Sequence, residues 1–322
     1  MKIVKTKIIY FYKLILLLLF KIILMNYCKN QLTLTTIIFS IFISFGQSKS
    51  NEFEPFTSQK KRSFPFLLFS PTDNSSAFKV SPLTAKNASG FQFNSYKVLV
   101  NLKANVFKKI YSKENYQLAI SGQIDNQFVF REESSTRFNG ITHSLFNTDF
   151  FIYFHNDFVL NENNFLRINL YHRSSHLGDD FLLKNDYTKI TNPDYWANDP
   201  SNYETMEVLY AFNKEKMGLY AGISYIVRTD SDRKRLAFQQ GGVFKNFDSE
   251  SDFLSRVFLG YDLRFLENND FNFDFNGGIG YAFKNNNSLR LEYFNGYLPY
   301  SRLEKEVKTS WISLAFYYNL EL

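Results

Sequence analysis

Cysteine is almost missing from this chain: 322 residues hold one, Cys28. It precedes residue 46, after which processing is expected, so the mature chain has no thiol. That excludes disulfides, thiol catalysis and cysteine-based zinc sites. Histidine is scarce too, with four residues. The 14 glycines and 7 prolines build neither a glycine-rich phosphate loop nor a dinucleotide fingerprint. No internal repeat is present. Charge of one sign does not accumulate: 37 Lys and Arg face 31 Asp and Glu, for a net +6. The basic residues stand singly in strand-like segments and turns, so no nucleic-acid partner is expected.

Aromatic residues, by contrast, make up 19% of the chain, 37 of them Phe, yet the mean hydropathy is only −0.26. Greasy side chains must therefore be interleaved with polar ones, not concentrated as in a helical membrane protein. From Phe271 to Phe283 the chain reads FNFDFNGGIGYAF, with Phe271, Phe273, Phe275, Ile279, Tyr281 and Phe283 on one parity. Ile312, Leu314, Phe316, Tyr318, Leu320 and Leu322 repeat the pattern. One apolar aromatic face and one polar or small face predict an all-β, transmembrane, antiparallel up-and-down β-barrel. A soluble sandwich or lipocalin-like barrel also alternates. Its small interior would be overfilled by the aromatic face, whereas Asp262, Arg264, Asp274, Asn276, Arg290 and Glu292 suit a wet lumen.

Two hydrophobic stretches, 8–24 and 32–45, open the chain. The second has the form of a secretory signal: Lys29 ahead of an apolar run, then Ser44 and Gly46 placed for cleavage before Gln47. Met25 just before it is a candidate start. The rival reading of the first stretch is an uncleaved helix. Cys28 lies ahead of the apolar run and is poorly placed for lipid attachment. The expected organisation is an N-terminal hydrophobic segment and signal over 1–46, a flexible lead-in over 47–63 and a barrel over 64–322. Export by this route predicts the outer membrane of a Gram-negative bacterium, with the barrel assembly machinery and outer-membrane lipids or lipopolysaccharide as partners.

About 12 strands of about 9–14 residues are expected, the length a tilted membrane strand needs. They fall near 64–70, 92–110, 116–130, 146–158, 165–176, 204–213, 217–229, 234–245, 252–266, 270–283, 288–297 and 309–322. Outer loops are expected near 71–91, 131–145, 177–203, 230–233, 267–269 and 298–308, four of them the longest connections in the chain. Short periplasmic turns are expected around Lys113, Asn163, Glu215, Ser249 and Asn286.

One strand breaks its own alternation. In FLRINLYHRSSHLGDDF from Phe165, Leu166, Ile168 and Leu170 hold the lipid face. The same parity then delivers His172, Ser174 and His176. Arg167, Asn169, Tyr171, Arg173 and Ser175 take the lumen side. His172 and Ser174 lie about 7 Å apart at the usual strand rise, close enough for an imidazole to activate a hydroxyl. The orienting third group would be Asp149 or Glu204. The alternative is a polar cap above the apolar belt. His172 and His176, about 13 Å apart on an extended strand, are too distant to share an ion. No cofactor is expected. Asp179 and Asp180 after Gly178 offer oxygens for calcium, or simply open a loop. Arg228–Arg235 (RTDSDRKR) could hold lipopolysaccharide phosphates or form a solvated hairpin tip. Asn192–Tyr203 offers Tyr195 and Trp196 to a sugar, or only turn chemistry.

The His-x-Ser arrangement of His172 and Ser174 is similar to that of outer-membrane phospholipase A and the lipid A deacylase barrel. Those enzymes carry the pair on the lipid-facing side of a strand. The resemblance implies acyl hydrolysis with Ser174 as nucleophile and His172 as base; Ser175 departs from the Asn usual after that serine. The longer stretch SSHLGDDF, Ser174–Phe181, resembles the signature of an uncharacterised bacterial family, domain of unknown function (1207). Looser agreement continues through Asn202–Phe212 and Leu219–Arg228. This second resemblance implies a barrel-like group without an assigned activity.

Overall fold

The computed structural model describes residues 64–65, 67–70, 75–83, 98–133, 140–179, 201–214, 216–229, 233–245, 256–283, 287–298 and 308–318. The signal and lead-in expected over 1–63 lie outside them. Twelve antiparallel strands close on themselves, each beside its neighbours in sequence, with β1 meeting β12. They are β1 (Ser76–Pro82), β2 (Val98–Lys113), β3 (Tyr116–Glu133), β4 (Gly140–Asn161), β5 (Asn164–Leu177) and β6 (Ser201–Lys214). The remainder are β7 (Met217–Thr229), β8 (Leu236–Lys245), β9 (Val257–Leu266), β10 (Phe273–Ala282), β11 (Ser288–Tyr297) and β12 (Lys308–Tyr318). The seam pairs Phe78 with Phe316 and Val80 with Leu314. Closure leaves no edge strand and satisfies the backbone inside the sheet, as hydrocarbon requires.

The alternation in sequence is the alternation in space. On β11 every second residue is buried: Ser288, Arg290, Glu292 and Phe294 point inward, while Leu289, Leu291 and Tyr293 point out. Outward apolar side chains recur around the wall, among them Leu102, Ile124, Ile152, Phe154, Leu170, Leu259, Ile279, Ile312 and Leu314. Each would be worth about 1.5–3 kcal/mol when taken out of water. A surface so apolar is stable only against lipid, so the barrel spans a membrane.

Twelve strands agree with the expectation, but the first is not where alternation was sought. Residues 64–70 read FPFLLFS, apolar up to Ser70, and the described ones, 64–65 and 67–70, form no strand. Leu67, Leu68 and Phe69 turn back on themselves, with Ser70 N–H donating to the Leu67 carbonyl at 3.0 Å and Phe69 at φ 70°. The alternating SAFKVSP segment takes the strand role as β1. The first long connection therefore runs over 83–97 instead of 71–91. β3 and β4, with 18 and 22 residues, outrun the expected length.

The described residues of this stretch, 64–65 and 67–70, form a wedge inside the lumen, at the end bearing the short turns. Phe64 and Leu67 pack on Leu209, Ala211 and Tyr220; Leu68 and Phe69 pack on Val243, Phe258 and Ala282. Gly260 makes this possible, because a Cβ there would meet the Phe69 ring at 2.6 Å. Charged and aromatic side chains also pair along the inner wall formed by β1, β12 and β11. Lys79 Nζ meets Glu292 Oε2 at 2.9 Å, and Tyr317 donates to Glu292 Oε1 at 2.6 Å. The Arg290 guanidinium stacks 3.5 Å from the Tyr317 ring centre.

Candidate functional site

β5 places His172, Ser174 and His176 on the membrane-facing parity and Arg173 and Ser175 on the buried one. The serine does not pair with His172 as expected from the sequence. Ser174 Oγ lies 2.7 Å from His176 Nε2. His172 turns toward the next strand, its Nδ1 3.2 Å from Glu204 Oε1, because the register sets the two residues directly opposite. A strand pleat separates alternate Cα atoms by about 7 Å, and here the upper imidazole closes that gap. Of the two candidate orienting acids, Glu204 therefore meets His172. Asp149 does not: it stands opposite Ser175, faces the lumen and binds Arg173 Nη2 at 3.2 Å. Its parity puts the barrel wall between it and the imidazoles.

Other residues of the signature have structural work. Ser175 donates to Asn147 Oδ1 at 3.2 Å inside the lumen. Gly178 closes β5, its N–H donating to the Phe146 carbonyl at 3.0 Å, and a Cβ there would strike the Leu145 carbonyl. Asp179 is exposed just past the strand, and Asp180 lies outside the described residues. Among the described residues no three His, Cys, Asp or Glu side chains gather tightly enough to hold a metal ion.

The polar surface is wider than β5. Register carries it across five strands: Asn126, Thr148 and His176 form one row, Ser174 and Asn202 a second, and His172, Glu204 and Arg228 a third. Thr148 donates to Asn126 Oδ1 at 2.9 Å. Arg228 Nε lies 4.0 Å from Glu204 Oε2. Apolar residues bound the patch on one side with Ile124, Phe150 and Ile152, and on β3 and β4 Phe128 and Leu145 follow on the other. Two β-bulges flank it, at Gln127/Phe128 and at Glu204/Thr205. The second inserts Val227, so that Arg228 faces the membrane beside Glu204 instead of entering the lumen. Bulges that re-aim a side chain commonly accompany working surfaces. Sequence reading missed Asn126, Thr148, Asn202 and Arg228 as members, since only a register joins them to β5.

At the loop end, the basic run after Arg228 is tied down. Lys234 Nζ meets Asp270 Oδ1 at 2.7 Å, and that hydrogen bond raises the ammonium above its ordinary value. Arg233 donates to Ser201 Oγ at 3.2 Å and stacks over Tyr203, where burial lowers its guanidinium. Residues 230–232 and the aromatic stretch 192–200 lie outside the described residues.

A second serine–histidine pair was not anticipated. Ser121 Oγ lies 2.7 Å from His155 Nε2, His155 Nδ1 lies 2.8 Å from Asn169 Oδ1, and Asn169 donates to Glu207 Oε2 at 2.7 Å. All four residues are buried in the lumen wall. Their common odd parity on β3, β4, β5 and β6 was the only sequence signal.

A family model described as "Protein of unknown function (DUF1207)" matches residues 116–319. The chain belongs to this family. The match spans β3 through β12, so the DUF1207 region holds the whole polar patch. No curated protein matches the sequence. Among solved structures, the Salmonella typhi outer membrane phospholipase dimer with bound calcium is similar over 82% of this chain and 97% of its own, at 10% identity and TM-score 0.53. Outer membrane phospholipase A from Escherichia coli covers 77% of this chain and 98% of its own, at 11% identity and TM-score 0.52. At such identity the likeness is one of fold: this DUF1207 member is an outer-membrane-type barrel.

Proposed function

We propose that this protein is exported behind a signal cleaved before Gln47, is inserted into a Gram-negative outer membrane by the barrel assembly machinery, and acts at its lipid-facing wall. The observation that carries this reading is the polar patch on β3 to β7, flanked by bulges. Polar groups facing hydrocarbon are costly unless they are partnered or used, and here they are collected on one side. The patch offers Arg228 and two imidazoles to the head group of an outer-leaflet lipid or lipopolysaccharide, while Phe150, Ile152 and Leu170 take its chains. The wedged lumen supports a closed structural barrel over an open channel.

A second reading, acyl hydrolysis, is favoured by one distance, the 2.7 Å between Ser174 Oγ and His176 Nε2. In that reaction Oγ bonds to the ester carbonyl carbon and its proton passes to the imidazole. The imidazolium then protonates the departing alcohol, and water frees the acyl group. His172, held by Glu204, would be an alternative base. Calcium, offered oxygens by Asp179 and Asp180, belongs to the same reading.

The test is fatty-acid release from phospholipid and lipopolysaccharide by the refolded mature protein, beside Ser174→Ala, with and without calcium. Release that disappears in the variant establishes the hydrolase. Equal background from both removes it and leaves lipid binding, which is read by lipid retained on purification. An Asn126→Leu, Thr148→Val, Arg228→Leu variant should retain less; unchanged retention overturns the lipid-site reading itself.

A further inference from the structure

The lumen contains a cavity of about 70 Å³ lined in part by Lys79, Lys103, Asp125, Arg264, Asn276 and Trp311. Asn101 Oδ1 and Asp149 Oδ1, both on its wall and both buried, have no protein hydrogen-bond partner. Atoms of this kind are ordinarily satisfied by water, so the cavity is a wet space. On the turn side of the cavity lies the wedge: Asn276, one of the lining residues, donates through Nδ2 to the Phe69 carbonyl at 2.6 Å. Gln239 holds the adjoining Ser70 Oγ at 2.6 Å.

We infer that this barrel has a second, latent activity: passage of small polar solutes through the lumen, shut by the chain's own Phe64–Ser70 wedge. The wedge is built as a removable part. Among the described residues no strand pairing ties it to the wall; apolar packing, hydrogen bonds from Asn276 and Gln239, and the guanidinium groups of Arg167 over Phe64 and Arg290 over Phe69 hold it. It also precedes β1, so its withdrawal leaves all twelve strands paired. Behind it lies a polar, partly aromatic bore in which four cations (Lys79, Lys103, Arg173 and Arg264) face three anions (Asp125, Asp149 and Glu292). That excess sets a preference for anions over cations. This activity concerns the lumen and is independent of the lipid-facing patch.

The experiment is ion conductance in planar bilayers, comparing the wild-type mature protein with a Phe64→Ser, Leu68→Ser, Phe69→Ser variant. Wild type is expected to be silent, and the variant to show stepwise conductance with a reversal potential displaced toward the anion in a salt gradient. A variant that is folded by heat-modifiable migration yet as silent as wild type overturns the inference, as does steady conductance by wild type. If the triple variant fails to insert, Asn276→Ala, which removes only the bond to the wedge tip, should give brief openings. Its silence when folded overturns the inference equally. Cation preference in an open variant would retain the gate and overturn the assignment of selectivity to the lining charges.

Discussion

Two serine–histidine pairs sit in the same wall with the same 2.7 Å separation, one facing the lumen and one facing the membrane. Ser121–His155 is sealed: Asn169 takes the second ring nitrogen and Glu207 holds Asn169 in turn. Ser174–His176 is exposed, and the described residues offer its imidazole no second partner beyond ring contact with Phe150. The sealed pair is the better oriented and can do nothing to a substrate. The open pair has access but lacks a fixed orienting group. Distance alone therefore does not define a catalytic dyad, and the two regions differ most in what removal of a partner should cost.

The largest expected effect is on the sealed side. His155→Leu strips partners from two buried groups, Ser121 Oγ and Asn169 Oδ1, each costing about 1–3 kcal/mol when left unsatisfied. Urea unfolding in lipid vesicles, followed by tryptophan fluorescence, should show a loss of about 2–6 kcal/mol in all. A change below about 0.5 kcal/mol, the range of an unremarkable surface site, would break the comparison by showing that the lumen network does not hold the wall.

Why one pair was legible in the sequence and the other not follows from the same geometry. The barrel, its strand count and the turns near Lys113 and Asn163 were readable because lipid and lumen impose a period of two on every strand, and β10 and β12 carry it almost without interruption; the turns expected at Glu215, Ser249 and Asn286 lie outside the described residues. His172, Ser174 and His176 were readable as an exception to that period. Their partners were not: the Ser174–His176 contact depends on side-chain direction, the His172–Glu204 pair on register, and Arg228 on a bulge. Ser121 and His155 obey the rule by pointing inward as polar residues should, so nothing marked them. Residues 64–70 misled because an apolar run of strand length reads equally well as a buried strand or a wedge, and only the lumen available to it decides.

A second, smaller contrast sharpens the position of the open pair along the membrane normal. Leu314 on β12 sits in an unbroken apolar column with Ile312 and Phe316. Arg there should cost about 2–4 kcal/mol, the value for a cation near the bilayer midplane, whereas Ser174→Arg should cost about 0–1 kcal/mol if β5 reaches the interface at that height. Equal costs in the same unfolding assay would place Ser174 inside the hydrocarbon, where a polar cluster has no reason to persist unless it is used.

The smallest expected effect discriminates most finely. Ser121→Ala and Ser174→Ala remove the same hydroxyl from the same length of hydrogen bond. The first removes a buried hydrogen bond to the fully buried His155 ring, so it should cost about 1–3 kcal/mol. The second leaves an exposed imidazole free to repartner, so its stability change should lie within about 0.5 kcal/mol. A stability-neutral Ser174→Ala is also what makes the acyl-release assay interpretable, because any lost activity would then belong to the hydroxyl and not to the fold. Should Ser174→Ala prove as destabilising as Ser121→Ala, the membrane-facing pair would have to be read as a structural clasp between successive turns of one strand's pleat, and the lipid-facing chemistry would need a different nucleophile.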